Sequence, residues 1–559
     1  MTARSLRRGV AACAAAFMLL LGTEPGSGAS DEESLAANIV NKGPGLPNLA
    51  YSVDGATRAW FKDTSLAGAK RNHGTAAMHF GYLFSPYAKD GTSGDDLGFG
   101  GIAFWDVSGI SNASIPAVVK RVNRIDDDNL RESHSPVFSN SFRGFNGSAY
   151  VPKRMVALQD RNGFQLWDVT NPKAPGGTDG FRKLADVVLP DVNGDSYNRS
   201  NFWHTWAGRY VYVAGSQEGL FVVDVSPIGI GGVPVLKSRR GTTRSSTSRD
   251  ATFWCEGGNA AGPCLDQISQ VFVLGRTAIV FDGVDEGRIA TIDLSDPANP
   301  TRLHVYRVEN SYSIQVFAGK IALFGKDGKL YIYNYSDPSG VISKAGASTA
   351  TFGATGFKGG GYGTYQRNGA NVRLAGGWSL RTIRHNLSVA GFPALDTWQA
   401  PGCMGNRDDD FAVFFGNLIW TGNDHEDAFS SKTGACTGLN GTEAALWNAT
   451  LGKKIGAPEV ERISPANDIV TAVSRKTLIG VHFADQIDLE TINPRTFEVK
   501  NSAGVVVTGD YSSGQNFVYF QPSAALNAGS VYTVTIKGVK DWVGNELVTP
   551  FVSRFKTGL

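Results

Sequence analysis

The sequence has little net charge and few sulfur-containing residues. Its 53 Lys and Arg residues almost balance 51 Asp and Glu residues, so electrostatics give no reason to expect nucleic acid or an anionic membrane as a partner. Charged residues make up 19% and hydrophobic residues 42%, a composition that excludes a disordered chain. After residue 21, no segment is long and apolar enough to span a bilayer as a helix. What remains is a large folded chain whose 559 residues suit two to four domains.

The first residues are typical of a secretory signal peptide. Three arginines precede an apolar run at residues 10–21, and small residues follow Pro25. A positive start, a short apolar stretch and a small-residue exit predict cleavage near Ala29. We therefore expect residues 1–29 to be removed. The mature protein would then be secreted, periplasmic or held at the cell surface, without a transmembrane segment.

Four cysteines remain after this cleavage, Cys255, Cys264, Cys403 and Cys436. An even number in an exported chain favours disulfides, and neither neighbouring pair has the C-x-x-C spacing of a zinc site. Four cysteines allow three connectivities. We predict the local one, in which Cys255 pairs with Cys264 and Cys403 with Cys436.

The abundant residues favour a β-rich fold. The 68 glycines follow no collagen-like period, which indicates many tight turns. One phrase, an apolar and aromatic run closed by Asp-Val-Ser or Asp-Pro, also recurs at intervals of 41 to 69 residues. We predict that the side chain of its marker residue accepts a hydrogen bond from the backbone two residues on, fixing the turn after the strand. The markers are Asp106, Asp168, Asp224, Asp293 and Asn334.

Another strand-like run, ending at Gly or Asp-Gly, precedes most copies, as at residues 209–214, 270–281 and 320–324. One unit is therefore about four short strands, and repetition of such a unit without helical periodicity predicts an all-β fold, a β-propeller. Five copies and two weaker units predict seven blades over residues 70–455, with six or eight left open. Residues 30–69 would be a lead-in.

The copy at Gly219–Pro227 reads Gly-Leu-Phe-Val-Val-Asp-Val-Ser-Pro. It resembles the LVIVD repeat of bacterial and archaeal surface or secreted propellers. The resemblance implies a propeller fold and an extracytoplasmic setting, but no single reaction.

Residues 456–559 follow a different pattern, with short strand-like runs at about ten-residue spacing, including 504–508 and 531–536. This spacing predicts an Ig-like antiparallel β-sandwich. The region resembles the bacterial Ig-like domain of S-layer proteins, which implies a spacer or an adhesive unit. The segments that carry the resemblance are the Ser-Pro-Ala opening at Ser464, Phe520–Leu526, Tyr532–Ile536 and Val539–Leu547.

Polar residues at one repeat position of a propeller converge near its axis, where the innermost strands line a channel. Such side chains could bind a polar ligand or a cation, or act as general bases. They could equally satisfy buried backbone groups between blades. The candidates are His79, His134, His204, Tyr312, Tyr362 and Asp410.

The densest polar cluster is formed by Asp424, His425, Glu426 and Asp427. Three carboxylates and an imidazole could hold Ca²⁺ or another divalent metal, but their spacing matches no specific motif, and a solvated loop is the alternative. We predict no other cofactor. A Ser/Thr-rich stretch with four arginines predicts a flexible surface loop: Arg239, Arg240, Arg244 and Arg249.

We therefore expect a non-enzymatic binding or scaffold protein that presents a propeller face to an extracellular protein or polysaccharide. The alternative is an extracytoplasmic metal-assisted hydrolase or lyase with its site in the propeller funnel. In that case, His79, His134 and His204 would be metal ligands or bases.

Overall fold

The computed structural model describes residues 56–62, 70–71, 76–79, 81–89, 100–110, 117–130, 137–145, 150–171, 180–194, 196–201, 203–259, 262–283, 287–311, 313–351, 365–376, 381–399, 412–415, 418–422, 442–448, 457–514, 516–542 and 544–559. Almost every element in these ranges is a β-strand. The helical elements are single turns at Tyr197–Arg199, Ser226–Ile230, Ala251–Trp254, Glu256–Gly258 and Leu489–Thr491. In the described ranges, no helix has the length and apolar character needed to cross a membrane.

The strands up to residue 448 pair into groups of four, which we call blades. Strand β1 is Ala56–Lys62, and the short β2, Lys70–Arg71, pairs with β4. Blade 1 contains β3 to β6, which are Ala77–His79, Tyr82–Lys89, Gly100–Trp105 and Ala117–Asp127. Blade 2 contains β7 to β10, which are Val137–Phe145, Tyr150–Asp160, Gly163–Asp168 and Arg182–Val188. Blade 3 contains β11 to β14, which are Trp203–Ala207, Tyr210–Ala214, Leu220–Asp224 and Val235–Arg240.

Three further blades follow along the chain. Blade 4 contains β15 to β18, which are Gln270–Val273, Thr277–Asp282, Arg288–Asp293 and Thr301–Arg307. Blade 5 contains β19 to β22, which are Gln315–Phe317, Lys320–Phe324, Leu330–Ser336 and Val341–Ala347. Blade 6 contains β23 to β26, which are Tyr365–Asn368, Asn371–Gly376, Arg381–Asn386 and Ala394–Gln399. Blade 7 combines β1 with β27 to β29, which are Ala412–Phe415, Leu418–Gly422 and Thr442–Asn448.

The marker residues of the repeat lie at the ends of the third strands. At Asn334, however, β21 continues to Ser336, and the amide oxygen accepts from Lys320 Nζ at 2.9 Å. In the other four copies, Oδ1 of the marker accepts from the backbone N–H two residues on, at 2.7 to 3.0 Å. The predicted turn is confirmed at these four: Asp106, Asp168, Asp224 and Asp293.

Apolar side chains fill the space between neighbouring blades, as the two faces of blade 3 show. Val211 and Phe221 belong to the apolar cluster shared with blade 2, whereas Tyr212 and Val222 belong to the cluster shared with blade 4. Successive residues of a strand point to opposite faces of its sheet. The inner strands of blade 3 are buried on both faces, so β12 and β13 read as continuous apolar runs, whereas the outer strand β14 is more exposed and more polar.

Strand β1 closes the ring of blades. It pairs antiparallel with β29, from Ala56 opposite Asn448 to Lys62 opposite Thr442, and it pairs in parallel with β6. The fully buried ring of Phe61 lies 5.4 Å from the ring of Trp105 in blade 1 and 4.6 Å from the ring of Trp420 in blade 7. The first described strand therefore completes the last blade and joins it to blade 1.

Residues 460–557 form two packed sheets, which we call the C-terminal sandwich. Their strands β30 to β37 are Val460–Ser464, Asp468–Val473, Ile479–Phe483, Phe497–Asn501, Gly509–Gly514, Phe517–Pro522, Val531–Ile536 and Phe551–Thr557. One sheet has the order β30-β32-β35-β34 and the other β31-β37-β36-β33. Only the β31–β37 pair is parallel among the described pairs of the sandwich. Side chains such as Val481, Phe520 and Val534 form the core between the sheets.

The strand expected at residues 504–508 begins instead at Gly509. Asn501 Oδ1 accepts from the backbone N–H groups of Ala503 and Val505, each at 3.0 Å, and Gly504 has a φ of +79°. A side chain that binds the backbone just ahead of it, together with a left-handed glycine, makes a turn. The predicted range was therefore wrong.

Candidate functional site

Among the residues expected near the propeller axis, only the side chain of His204 is described. It is 2% exposed and lies between blades 2 and 3, with its ring 5.6 Å from the ring of Phe164. Asn201 Nδ2 lies 3.1 Å from its Nε2. His79 ends β3, and its side chain is outside the described part. The other candidates lie outside the described residues: His134, Tyr312, Tyr362, Asp410 and residues 424–427.

The cysteines are described in part. Cys255 and Cys264 form the predicted disulfide, while Cys403 and Cys436 lie outside the described residues, so their pairing stays a prediction. Among the described side chains, no group of three or more His, Cys, Asp or Glu residues could hold a metal ion.

The C-terminal sandwich lies against one face of the propeller, which we call the docked face. This face carries the turns between the first and second strands of the blades. The backbone N–H of Gly208, in the blade 3 turn, donates to Ser512 Oγ at 2.7 Å. Below the blade 4 turn, Tyr519 Oη donates to the carbonyl of Val273 at 2.8 Å. A Cβ on Gly275 would lie only 2.6 Å from the side chain of Ser464, so the sandwich leaves no room for a larger residue here.

Blade 2 extends furthest into the sandwich. Its strands β7 and β8 continue past the position where other blades turn, and β7 pairs antiparallel with β34, with Ser141 opposite Tyr511 and Phe138 opposite Ser513. One eight-stranded sheet therefore runs from blade 2 into the sandwich. Such strand addition satisfies backbone groups on an otherwise unpaired edge.

An ion pair is buried beside this shared sheet. Arg154 Nη2 lies 2.9 Å from Glu490 Oε2, and the two side chains are 4% and 5% exposed. Burial lowers the pKa of Arg154 to about 10, against the opposing effect of Glu490. Arg154 thus keeps its charge at neutral pH, and separating the two units would leave each side chain without this partner.

The remaining blades also contact the sandwich. In blade 5, the guanidinium of Arg462 lies 5.2 Å from the ring centroid of Tyr335. In blade 7, the rings of Phe415 and Trp542 are 4.1 Å apart. Leu489 joins the apolar cluster of blades 1 and 2. With the polar cluster that blade 6 contributes, the sandwich contacts every blade among the described residues.

Blade 6 contributes Tyr365 and Arg367 to a buried polar cluster. Tyr365 Oη lies 2.7 Å from Glu461 Oε2 and 2.8 Å from His482 Nε2, and Arg367 Nη1 lies 2.7 Å from Glu461 Oε1. Burial, followed by the positive charges of Arg462 and Arg367, lowers the pKa of His482 to about 3, so its ring is neutral. Burial also raises the pKa of Tyr365, so its hydroxyl stays protonated and donates a hydrogen bond to Glu461. The cluster joins the two units through charge-assisted hydrogen bonds.

On the opposite face, Glu218 organises the loop after β14. Its side chain is 1% exposed and lies 2.5 Å from Arg239 Nη2 and 3.1 Å from Arg199 Nε. It also accepts from Ser245 Oγ at 2.8 Å and from the Ser246 backbone N–H at 3.1 Å. This Ser/Thr-rich stretch, expected to be a flexible surface loop, is therefore anchored by a buried carboxylate.

The sequence did not predict the docked face. A signal was available in β34, where Gly509–Gly514 contains Asp510, Ser512 and Ser513, residues with low strand propensity. These polar side chains are at most 3% exposed. A polar segment between turn signals is normally assigned to a loop, so strand pairing with another unit was not apparent.

Comparison with known proteins agrees with both parts of the fold. Residues 206–227 match the LVIVD repeat, and residues 454–557 match the bacterial Ig-like domain. The chain carries an LVIVD repeat and a bacterial Ig-like domain. A 100-residue stretch is 36% identical to an S-layer protein of Geobacillus stearothermophilus; it covers 17% of this chain and spans only 8% of that relative.

The LVIVD-repeat chain is also similar to solved β-propellers. One is the β-propeller domain of Cps50 (Swd1) from Myceliophteria thermophila, at 10% identity over 69% of this chain and 98% of that chain, with a TM-score of 0.39. Another similar structure is BamB from Moraxella catarrhalis, at 10% identity over 72% of this chain and 94% of that chain, with a TM-score of 0.38.

Proposed function

We propose that this protein acts outside the cytoplasm, at the cell surface, as a non-enzymatic binding or scaffold protein. It would hold an extracellular protein or polysaccharide on the propeller face opposite the Ig-like domain. The observation that carries this proposal is the contact of the Ig-like domain with every blade. A ligand of the propeller must then approach the opposite face or the rim.

Three further observations support the extracytoplasmic setting. The N-terminal residues have the pattern of a signal peptide. The disulfide between Cys255 and Cys264 suits an oxidising compartment. A 100-residue stretch of the chain is similar to part of an S-layer protein.

Anchored loops on the opposite face suit a binding surface. Loops held by a rigid scaffold commonly carry binding residues. Here, Glu218 anchors the loop after β14, and the disulfide closes the following loop. Ordering these loops before the ligand arrives lowers the entropy lost on binding.

Photo-crosslinking in the native extracellular fraction tests the proposal. A photoreactive amino acid would replace the exposed Ser246 on the opposite face and, in a second variant, Val470 of the Ig-like domain, which is 87% exposed. We expect a reproducible macromolecular adduct from position 246 and none from position 470. Adducts from position 470 alone would contradict the assigned face, and the absence of any adduct would contradict the binding role.

A further inference from the structure

A cleft of about 460 Å³ lies between blades 4 and 5, away from the docked face. Its walls are the end of β18, with Tyr306, and the strands β21 and β22, with Tyr333, Ile342 and Lys344. Strand β18 runs away from the docked face, so the cleft opens toward the side available to a ligand. Its volume is within the range of roughly 300–1,000 Å³ that is usual for small-molecule sites.

The polar floor of the cleft is formed by two side chains of opposite charge, Glu309 and Lys344. The carboxylate of Glu309 accepts a hydrogen bond from the Tyr333 hydroxyl and contacts the ammonium group of Lys344. Lys344 Nζ also lies 4.5 Å from the ring centroid of Tyr331. The carboxylate is an acceptor and the ammonium a donor, and the charges of this pair cancel. Arg307 also lines the cleft, but its side chain is exposed, so solvent screens its charge. The Glu309–Lys344 pair therefore suits an uncharged ligand group that both donates and accepts.

Burial and the hydrogen bond to Glu309 raise the pKa of Tyr333, so the hydroxyl stays protonated at physiological pH. Tyr333 thus donates to Glu309 throughout that range. A ligand hydroxyl group, which donates once and can accept twice, matches the acceptor and the donor of the floor.

The wall of the cleft is apolar and aromatic. Tyr306 is half-buried and packs against the core of blade 4, while Val308 and Ile342 are each 6% exposed. A ring fixed by packing offers a flat apolar surface at low entropic cost. A sugar ring has a C–H face for such a surface and hydroxyl groups around its rim for the polar floor.

We propose that the cleft between blades 4 and 5 binds a neutral glycan, with Tyr306 against the face of a sugar ring and the Glu309–Lys344 pair on its hydroxyl groups. This assignment rests on the proposed function and names the ligand class. A peptide is the competing class. Strands β18 and β22 are the outer strands of their sheets, and a peptide backbone would add to such an edge. The glycan proposal rests instead on the side-chain groups of the cleft, an aromatic wall beside a donor and an acceptor.

Isothermal titration calorimetry on the mature chain tests the proposal, with cello-, manno-, xylo- and maltohexaose as probes. We expect at least one of these neutral hexaoses to bind. Tyr306→Ala should weaken that binding at least tenfold, and Glu309→Gln several-fold, because the first removes the wall and the second the charged acceptor. Thr301→Ala is the matched control. Thr301 lies at the other end of the same strand, is exposed and does not line the cleft.

Circular dichroism and thermal unfolding of each variant would show that the fold is kept. If no hexaose binds, or if the Tyr306→Ala variant binds as the parent does, the glycan assignment is wrong. Crosslinked adducts from position 246 would still support the proposed binding function in that case. Failure of the glycan assignment can therefore be told apart from failure of the proposed function. A peptide from an array that binds the parent and not Tyr306→Ala would assign the cleft to peptides and overturn the glycan proposal.

Discussion

At the scale of single residues, the buried carboxylates stand out. Asp282 is fully buried at the end of β16, where its Oδ2 accepts from the backbone N–H groups of Asp266 and Gln267 at 2.8 and 3.1 Å. Burial raises its pKa to about 6. Asp160, at the end of the corresponding strand of blade 2, also has a pKa raised by burial to about 6. Two blades thus carry an acid that holds its proton more tightly in the folded state.

Asp282→Asn should flatten the pH dependence of stability. The unfolded side chain titrates near its ordinary pKa of about 3.9, so between about pH 4 and pH 6 the folded state binds more protons than the unfolded state. The contribution of Asp282 to the free energy of unfolding is therefore full below pH 4 and is lost as the pH rises through 6. Urea unfolding at pH 4, 5, 6 and 7, followed by tryptophan fluorescence, measures this loss.

We expect a shallower fall in the free energy of unfolding from pH 4 to 6 in the Asp282→Asn variant. Asp160→Asn, which changes the corresponding acid, should act in the same direction. Parallel pH profiles for the parent and both variants would show that these carboxylates do not titrate as proposed.

At the scale of elements, β1 joins the first and last blades through Phe61. Phe61→Ala should lower the free energy of unfolding by about 3–5 kcal/mol, because it leaves a cavity between Trp105 and Trp420. Val118→Ala on the neighbouring β6 is the control, since Val118 is 58% exposed. Equal effects of the two changes in chemical denaturation would argue against the closing role of β1.

The loop after β14 depends on Glu218. Glu218→Ala should cost about 3–5 kcal/mol, because Arg239 stays buried without one of its carboxylate partners. Once released, the loop should be cut by trypsin at the exposed Arg244 and Arg249. Glu218→Gln keeps the shape and should show a smaller effect. Mass spectrometry of timed digests identifies the cuts, and unchanged digestion of the alanine variant would refute this anchoring.

The sequence predicted an element well when its bounds depend on neighbouring residues, and poorly when they depend on distant ones. The strand expected at residues 320–324 has the same bounds in the structure, because an apolar run between turn signals suffices. The run at residues 270–281 is instead two strands around Gly275, whose left-handed backbone the pattern did not reveal. Strand β34 was missed because its partner, β7, lies more than 300 residues away in sequence.

The same limit applies to the candidate sites. A repeat position is visible in the sequence, but the face toward which its side chain points depends on blade packing, as His204 shows between blades 2 and 3. The cleft combines residues of β18 with residues of β21 and β22, and no local motif links them. The disulfide could be predicted because its cysteines are only nine residues apart.

At the scale of the whole molecule, the propeller and the Ig-like domain form one body. Gly480→Val should separate them, because even a Cβ at this position would lie 3.0 Å from the backbone nitrogen of Gly275. Gly480 lies between Ile479 and Val481, whose side chains are in the sandwich core, so the new side chain points away from that core. We expect a larger radius of gyration in small-angle X-ray scattering, with the circular dichroism unchanged.

Thr533→Val, on the other sheet of the sandwich, is the matched control and should leave the radius of gyration unchanged. If Gly480→Val gave the scattering curve of the parent while remaining folded, the docked arrangement would be wrong. If Gly480→Val lost the circular dichroism of the folded chain, the same scattering test would be made with Arg154→Ala. That change removes the ion pair to Glu490 from the propeller side.

The pairing of β1 with β29 also sets an order of assembly. Ala56 meets Asn448, a partner that is synthesised about 390 residues later, and contacts so distant in sequence slow folding. Strand β1 can pair with β6 early, but its other edge stays open until β29 of the last blade has been made. The Ig-like domain, which contacts every blade, is synthesised after the last blade and can dock only on a completed ring. A chain truncated before residue 442 would thus have an open ring of blades and no Ig-like domain to cover it.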